Sequence, residues 1–310
     1  MNILKNFNIE SLKPNLIVGI DEVLWDMLPE GKKLGGAPAN FAYHVSQLGL
    51  NSCIVSAVGF DDLGEEILNS LDGKGIDMLV EQVCHPTGTV QVTLDEAGIP
   101  QYEIKEGVAW DNIPFMPAHE AVARNARAVC FGSLAQRSAG CRASRESIRR
   151  FLEVMPKGAG YYRIFDINLR QQFYTKEIVH ESLEKCNILK INDEELTEVA
   201  RMFDLPGISM ADRCWILMAI YKLEILILTC GVNGSYVYTP HGVSFIDTPK
   251  VQVVDTVGAG DSFTAAFVAA LLRGLAVEEA HRLAVDVSAF VCTQNGAMPA
   301  LPESLLCRIR

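Results

Sequence analysis

The segment VQVVDTVGAGDSFTAAFVAALLRG, residues 251–274, carries the sharpest structural signal in this chain of 310 residues. A β-rich run that ends at Val254 leads into a Gly-rich turn, and a helix of small residues is predicted to begin near Asp261. This arrangement directs the amide N–H groups of Gly258, Ala259 and Gly260 outward at a helix N-terminus. Because the helix dipole favours negative charge there, the turn is a candidate anion site.

The same turn has other interpretations. It fits an ordinary tight turn with Asp as a helix cap. It also partly resembles the dinucleotide fingerprint G-x-G-x-x-G. However, Phe263 stands at the third glycine, an Asp in the loop would repel a pyrophosphate, and Asp286 lies within a helical pattern instead of after a second strand.

A carboxylate beside an anion hole is best interpreted as a general base. Asp261 could take a proton from a hydroxyl group while the neighbouring N–H groups stabilise charge on a transferred phosphoryl group. The chain contains no G-x-x-x-x-G-K-[ST] sequence, which excludes a P-loop kinase.

Outward from this segment, short apolar runs alternate with amphipathic helical patterns. The runs are LIVGI (16–20), CIVSAVG (53–59), AVCFGS (128–133), YRIFDIN (162–168), ILKIN (188–192) and EILILTC (224–230). Continuous apolar strands separated by helices indicate a sheet that is covered on both faces. The predicted fold is therefore α/β, a doubly wound, mostly parallel sheet with helices on both faces.

Two regions interrupt this alternation, residues 21–38 and 87–114. In the second, TGTVQVTLD, the turn EAGIP (96–100) and QYEIKE predict a hairpin outside the main sheet. A small β-sheet beside the carboxyl ends of parallel strands would form a lid over a site. We expect one domain over residues 1–310 that carries this lid.

The amino-acid composition limits the classes of partner that the protein is expected to bind. The net charge is −11 and no long Lys/Arg block occurs, which argues against nucleic acid and anionic membranes. The nine cysteines include no C-x-x-C pair, and several lie in apolar runs, as reduced buried thiols do. The N-terminus has no signal-peptide pattern and AAFVAALL (265–272) is too short to span a bilayer. A cytoplasmic protein is expected.

Two motifs carry a resemblance to a known family. D-T-V-G-A-G-D-S-F resembles the C-terminal signature of the ribokinase-like (PfkB) sugar kinases. LGGAPANFAYHVSQLG (34–49) is similar to that family's N-terminal Gly-Gly signature, in the form typical of its fructokinase branch. The similarity extends over nearly the whole chain. It implies the ribokinase-like fold, a doubly wound α/β domain with a small β-lid, which agrees with the element order.

The resemblance assigns roles to the Gly-rich turn. It implies that Asp261 deprotonates the acceptor hydroxyl group and that Gly258, Ala259 and Gly260 form the anion hole for the phosphoryl group. ATP is then the donor, and Mg²⁺ bridges its phosphates.

Further residues match the family's nucleotide-side motifs. Asn192 and Glu195 match N-x-x-E, which organises Mg²⁺ and phosphate through water. From the residues alone, Asn192 is more readily the N-cap of the next helix, and both roles can hold together. Thr229, Gly231 and Gly234 match a T-x-G-x-x-G segment along the nucleotide, although alone they indicate only a β-turn.

TQNGAMPA (293–300) matches the segment at the nucleotide edge, with Asn295 and Gly296 as binding candidates. Family members often hold a monovalent cation through backbone carbonyls of this segment and of the turn at Asp255. A K⁺ site is therefore an expectation of the resemblance. Ala300 stands where some relatives place a Ser, so one side-chain oxygen is missing.

The substrate side begins with the acids that follow the first strand. They could hold a metal, bind a substrate or solvate the strand end. The resemblance implies that Asp26 accepts hydrogen bonds from sugar hydroxyl groups. Glu22 is an acid typical of the fructokinase branch, and Asp21 stands where relatives have a Gly.

Gly35, Gly36 and Asn40 match the Gly-Gly signature, in which the backbone approaches the sugar and the Asn bonds its hydroxyl groups. Arg170 in DINLR is a candidate substrate or phosphate clamp, with a solvated surface Arg as an equal alternative. Trp110 could pack on the sugar, although a core role in the lid is favoured.

Together these features predict an ATP-dependent kinase that phosphorylates a primary hydroxyl group of a small sugar. D-Fructose is the expected acceptor because Ala37 and Pro38 follow the glycines. The alternatives are 2-keto-3-deoxygluconate, ribose, a nucleoside, or a family member that binds sugar or nucleotide without catalysis. A homodimer through the lid is expected from the resemblance.

Overall fold

The computed structural model describes residues 12–28, 31–94, 100–137, 142–207 and 209–309. Their strands are β1 (Leu16–Ile20), β2 (Leu24–Leu28), β3 (Gly31–Gly35), β4 (Ser52–Gly59), β5 (Asp77–Val83), β6 (Gly88–Leu94), β7 (Pro100–Ile104), β8 (Ala126–Phe131), β9 (Tyr162–Asp166), β10 (Ile188–Asn192), β11 (Ile225–Thr229), β12 (Ser235–Thr239) and β13 (Gly242–Ile246).

The helices complete the fold. They are α1 (Ala37–Gln47), α2 (Asp62–Leu71), α3 (Pro117–Asn125), α4 (Arg142–Val154), α5 (Lys176–Lys185), α6 (Asp193–Met202), α7 (Met210–Tyr221), α8 (Ala259–Leu272), α9 (Val277–Cys292) and α10 (Glu303–Leu306).

The main sheet has nine strands among these residues, in the order β13-β12-β11-β10-β9-β8-β1-β4-β5. Its pairs are parallel except at one edge, where β12 is antiparallel to both β11 and β13. One apolar cluster packs side chains of α4, α5, α6 and α7 on one face, and a second packs α1, α8 and α9 on the other. The prediction of a doubly wound, mostly parallel sheet is confirmed.

A second, smaller sheet, the one that the sequence predicts to be a lid, has the order β3-β2-β6-β7. β6 and β7 pair antiparallel, as the predicted hairpin requires, while β2 pairs parallel to β6. The lid strands are confined to residues 24–35 and 88–104, inside the ranges expected from sequence. The turn EAGIP lies outside the described residues except for Pro100, which begins β7.

One predicted strand is wrong. Residues 251–254 form no strand in the structure and run irregularly between β13 and α8. The amides of Val254 and Asp255 bond the carbonyl of Cys292 at the end of α9 instead of a sheet partner. Val253 and Val254 are exposed, so this apolar run is not part of the core.

The expectations about membrane-spanning segments and about cysteines can be compared with the described residues. None of the helices there has the combined length and apolarity needed to cross a membrane. Of the eight cysteines in that part of the chain, five are buried free thiols.

Candidate active site

A cavity lies at the carboxyl ends of β1, β8 and β9, beside the first turns of α1 and α8. Asp21, Glu22, Asp166 and Asp261 line it together with apolar side chains such as Phe41. Ligand sites of open α/β sheets occur at such strand ends. Asp261, the predicted base, lines this cavity.

The Gly-rich turn meets α8 as expected. Gly258 is the residue before the helix and has φ 78°, and a Cβ atom there would lie 2.7 Å from the Cβ of Ala297. Only glycine fits this position without moving the backbone. Because the first N–H groups of a helix lack intrahelical partners, Gly260 offers an amide donor to an anion, whereas the amide of Ala259 bonds the carbonyl of Thr256 at 3.2 Å.

Asp261 lies in the first turn of α8 and is partly buried. The side-chain amide of Asn40, in the first turn of α1, donates a hydrogen bond of 2.8 Å to its carboxylate. Burial and the nearby charge of Asp166 raise the pKa of Asp261 to about 7, against the opposing effects of Asn40 and Lys190. A carboxylate with this pKa is suited to take a proton near neutral pH.

Asn40 has a further property. Its side chain is 3% exposed and its Oδ1 atom has no hydrogen-bond partner among the described residues. An acceptor left unpaired in a buried site costs free energy unless a ligand or water satisfies it. A hydroxyl group bound beside Asp261 would supply the missing donor.

The structure adds two residues that sequence reasoning missed. Lys190 on β10 and Asp166 on β9 form a buried ion pair at 2.9 Å, and Thr264 of α8 donates to the same carboxylate. A Cβ atom at Gly260 would lie 2.9 Å from Nζ of Lys190, so the ammonium group sits against the anion turn. The sequence does contain one sign of this pair, because Lys190 is a charged residue inside the otherwise apolar run ILKIN.

Asp21 and Glu22 directly follow β1 and are buried at 0% and 8% exposure. The Asp21 carboxylate accepts the amides of Gly132 at 2.7 Å and Ala135 at 2.6 Å. No group of three or more His, Cys, Asp or Glu side chains in the described residues could hold a metal ion. The structure therefore supports neither a metal site nor solvation of the strand end for this pair.

Asp26 lies on β2 of the lid, against Gly35. A Cβ atom at Gly35 would lie 2.5 Å from its carboxylate, and Gly36 has φ 115° at the start of α1. Burial raises the pKa of Asp26 to about 6, and the charge of Lys33 opposes this. The lid strand thus carries a partly desolvated carboxylate next to the Gly-Gly pair.

The nucleotide-side candidates come together at neighbouring strand ends. The side chain of Asn192 caps α6 by accepting a hydrogen bond from the backbone amide of Glu195 at 2.8 Å. The side chain of Glu195 in turn accepts a hydrogen bond from the backbone amide of Asn192 at 2.9 Å. This is a capping box, so the alternative prediction of an N-cap is confirmed. Thr229 pairs directly with Asn192, and Gly231 and Gly234 follow with positive φ.

The expected cation segments also meet. Asp255 accepts the amide of Gly296 at 3.1 Å and that of Val257 at 3.0 Å. Although burial acts to raise it, these amides hold the pKa of Asp255 below its ordinary value. Asn295 is exposed beside this contact, at the surface of the loop.

Two candidates do not belong to the cavity. Trp110 is 1% exposed in the main core, with the guanidinium of Arg137 4.1 Å from its ring centroid. It is therefore a core residue of the main domain, and the idea that it packs on a sugar is not supported. Arg170 is exposed, bonds the side chain of Asn168 at 3.3 Å and is absent from the cavity lining. Its role as a substrate or phosphate clamp stays a prediction.

Known proteins match most of the length of this chain. The family model described as pfkB family carbohydrate kinase matches residues 30–304. A fructokinase of Salmonella typhimurium is 30% identical over 311 residues, which cover 91% of this chain and 95% of that protein.

Solved structures share the fold. A sugar kinase from Pyrococcus horikoshii in complex with ATP superposes with a TM-score of 0.76 at 26% identity, over 91% of this chain and 94% of that one. A ribokinase II from E. coli in complex with ATP and Mg²⁺ has a TM-score of 0.78 at 20% identity, over 95% and 99% of the two chains.

Proposed function

This chain belongs to the pfkB family of carbohydrate kinases, phosphotransferases that act on sugar hydroxyl groups, and from this we propose that it transfers the γ-phosphoryl group of ATP to a primary hydroxyl group of D-fructose. The proposal rests on the position of Asp261. Its carboxylate lies at the N-terminus of α8 and accepts a hydrogen bond from the side-chain amide of Asn40. The Oδ1 atom of Asn40 has no hydrogen-bond partner among the described residues.

The chemistry proceeds in one displacement. Asp261 takes the proton of the acceptor hydroxyl group as its oxygen forms the new bond to the γ-phosphorus, and the bond from that phosphorus to the oxygen of the leaving ADP breaks. The amides at the start of α8 stabilise charge on the transferred group. Asn40 orients both the carboxylate and the incoming hydroxyl group, and lid closure excludes water.

Magnesium fits this chain as an ion held mainly by ATP phosphates and water. The described residues offer no cluster of three protein ligands, and Mg²⁺ commonly keeps several waters. Both oxygens of Glu195 already accept amides, from Asn192 and Leu169, so this residue would hold the ion through water. When bound, the ion neutralises charge on the phosphates.

The charge of the cavity supports a neutral acceptor. Four carboxyl groups line it, and the charge of the nearby Lys190 is paired with Asp166. A carboxylate or phosphate on the acceptor would face repulsion without a free cation among the lining residues. This disfavours 2-keto-3-deoxygluconate, and the similarity to a fructokinase supports fructose over ribose.

Three further features belong to the proposal. A K⁺ ion would bind backbone carbonyls where the Asp255 turn meets Gly296. Two subunits would pair through the lid, whose outer strands β3 and β7 each have a single partner among the described strands. The free thiols are typical of a reducing compartment, which supports a cytoplasmic location.

A coupled ADP-release assay over a panel of sugars tests the proposal. We expect the highest kcat/KM with D-fructose, and values at least about 100-fold lower with 2-keto-3-deoxygluconate and fructose 6-phosphate, because like charges would meet in the cavity. Activity should be higher in KCl than in tetramethylammonium chloride at equal ionic strength. If no sugar raises ADP release above background, the kinase proposal fails, and if an anionic sugar is preferred, the acceptor assignment fails.

A further inference from the structure

The end of β1 carries two carboxyl groups in direct contact. The side chains of Asp21 and Glu22 hydrogen-bond each other, and both are buried at the cavity. An ionised carboxylate has no proton to donate, so a hydrogen bond between two carboxyl groups requires one proton between them. The pair therefore holds one proton as long as this contact exists.

The partners of each group show which one carries the proton. Both oxygens of Asp21 accept a backbone amide, an arrangement that favours its ionised form. Glu22 accepts the amide of Ala37 at 3.1 Å through Oε1. Its other oxygen can carry the proton and donate. In agreement, burial and the charge of Asp21 raise the pKa of Glu22 well above its ordinary value.

The pair joins two walls of the cavity. On one side Asp21 bonds the turn at Gly132 and Ala135, after β8. Gly132 permits this approach, since a Cβ atom there would lie 2.9 Å from the Asp21 carboxylate. On the other side Glu22 bonds Ala37, the first residue of α1, and the same helical turn presents Asn40 to Asp261.

We propose that Asp21 and Glu22 form a buried carboxyl–carboxylate pair, with Glu22 protonated, that positions the acceptor cavity by joining the Gly132–Ala135 turn to the N-terminus of α1. These are positioning residues, and the kinetic part of the inference rests on the proposed kinase function. The Asp at position 21 is what makes the pair in this chain, since a Gly there would leave Glu22 without its partner.

The charged surroundings favour keeping the proton. The titratable groups that face the pair are Cys130 on β8, Asp166 on β9 and Asp261 on α8. Lys190, whose charge acts on Cys130 and Asp261, is bonded to Asp166. Loss of the shared proton would place a second negative charge beside Asp21 and would raise the pKa of Asp261 further, because the charge of Glu22 acts on that carboxyl group.

Substitutions at Glu22 provide the kinetic test. Gln resembles a protonated Glu, since it can donate to Asp21 and accept from Ala37. We expect Glu22→Gln to keep kcat/KM within about threefold of wild type, and Glu22→Ala to raise the KM for sugar at least about tenfold while the KM for ATP stays within about twofold. Glu81→Gln, at another buried glutamate outside the cavity, is the matched control and should leave all three constants unchanged.

A second readout needs no activity. Because the folded pKa of Glu22 is raised, its stabilising effect is complete below the unfolded pKa and is lost as pH rises toward the folded pKa. Urea unfolding should therefore show wild type losing stability relative to Glu22→Gln above about pH 4.5. The ratio of the two unfolding constants should change by up to about tenfold per pH unit in that window.

The outcomes separate this inference from the proposed function. Parallel stability curves for wild type and Glu22→Gln, or equal impairment of Glu22→Gln and Glu22→Ala, would overturn the protonated pair. A wild type that is inactive with every sugar would overturn the kinase assignment, while the unfolding comparison would still decide the pair.

Discussion

Replacing Asp261 with asparagine is expected to lower kcat for the sugar by about 10²–10⁴-fold, the usual contribution of a general base. Asn keeps the size of the side chain and an oxygen for the Asn40 amide, but it cannot take the hydroxyl proton. The KM values for sugar and ATP should change little, because the substitution removes a step of the reaction and not a binding contact. Steady-state ADP release at saturating substrates measures this.

Asp286→Asn is the matched control for this substitution. Asp286 lies on α9 and forms an exposed ion pair with Arg308 at 2.6 Å, away from the cavity. We expect its kcat to equal that of wild type. Turnover of Asp261→Asn above about a tenth of wild type would show that another group accepts the proton.

Lys190→Met should lower the free energy of unfolding more than any other substitution proposed for this protein. The side chains of Lys190 and Asp166 are 8% and 4% exposed, so the ion pair is almost fully removed from water. Removing the cation leaves Asp166 as a buried, uncompensated charge beside Thr264, which costs about 3–5 kcal/mol of unfolding free energy. Urea denaturation at pH 7 measures the loss.

An exposed pair provides the comparison. Lys185 on α5 bonds Glu153 on α4 at 3.1 Å, with side chains 31% and 53% exposed. Because solvent screens such pairs, Lys185→Met should cost only about 0–1 kcal/mol. Equal losses for the two variants would mean that the Lys190–Asp166 pair is not the buried link between β9, β10 and α8 that the structure shows.

The sheet and the glycine turn before α8 could be predicted from sequence because both depend on local patterns. Continuous apolar runs such as LIVGI can be buried only in a sheet covered on both faces. Position 258 has a positive φ, which glycine adopts most readily, so the glycine in the sequence already indicates the turn. The capping box of Asn192 and Glu195 is equally local, since its two residues are three positions apart.

Contacts between distant segments could not be predicted in this way. Asp166 and Lys190 meet because β9 and β10 are neighbours, and Asp21 reaches amides more than 100 positions away. Trp110 was a lid candidate by position, but its 3₁₀ turn packs into the main core. The run at 251–254 has strand composition, but the amide of Val254 bonds the end of α9 instead of a strand, and the valines of the run stay exposed.

The pH dependence of kcat/KM for D-fructose tests Asp261 as the base most directly. Burial and the charge of Asp166 raise the pKa of Asp261 to about 7, and the base must be ionised to act. In wild type, kcat/KM should therefore fall about tenfold per unit as pH drops below that value and level off above it. Asp261→Asn should be slow and lack this acidic limb. A flat wild-type profile between pH 5.5 and 8, or an unchanged limb in Asp261→Asn, would contradict the assignment.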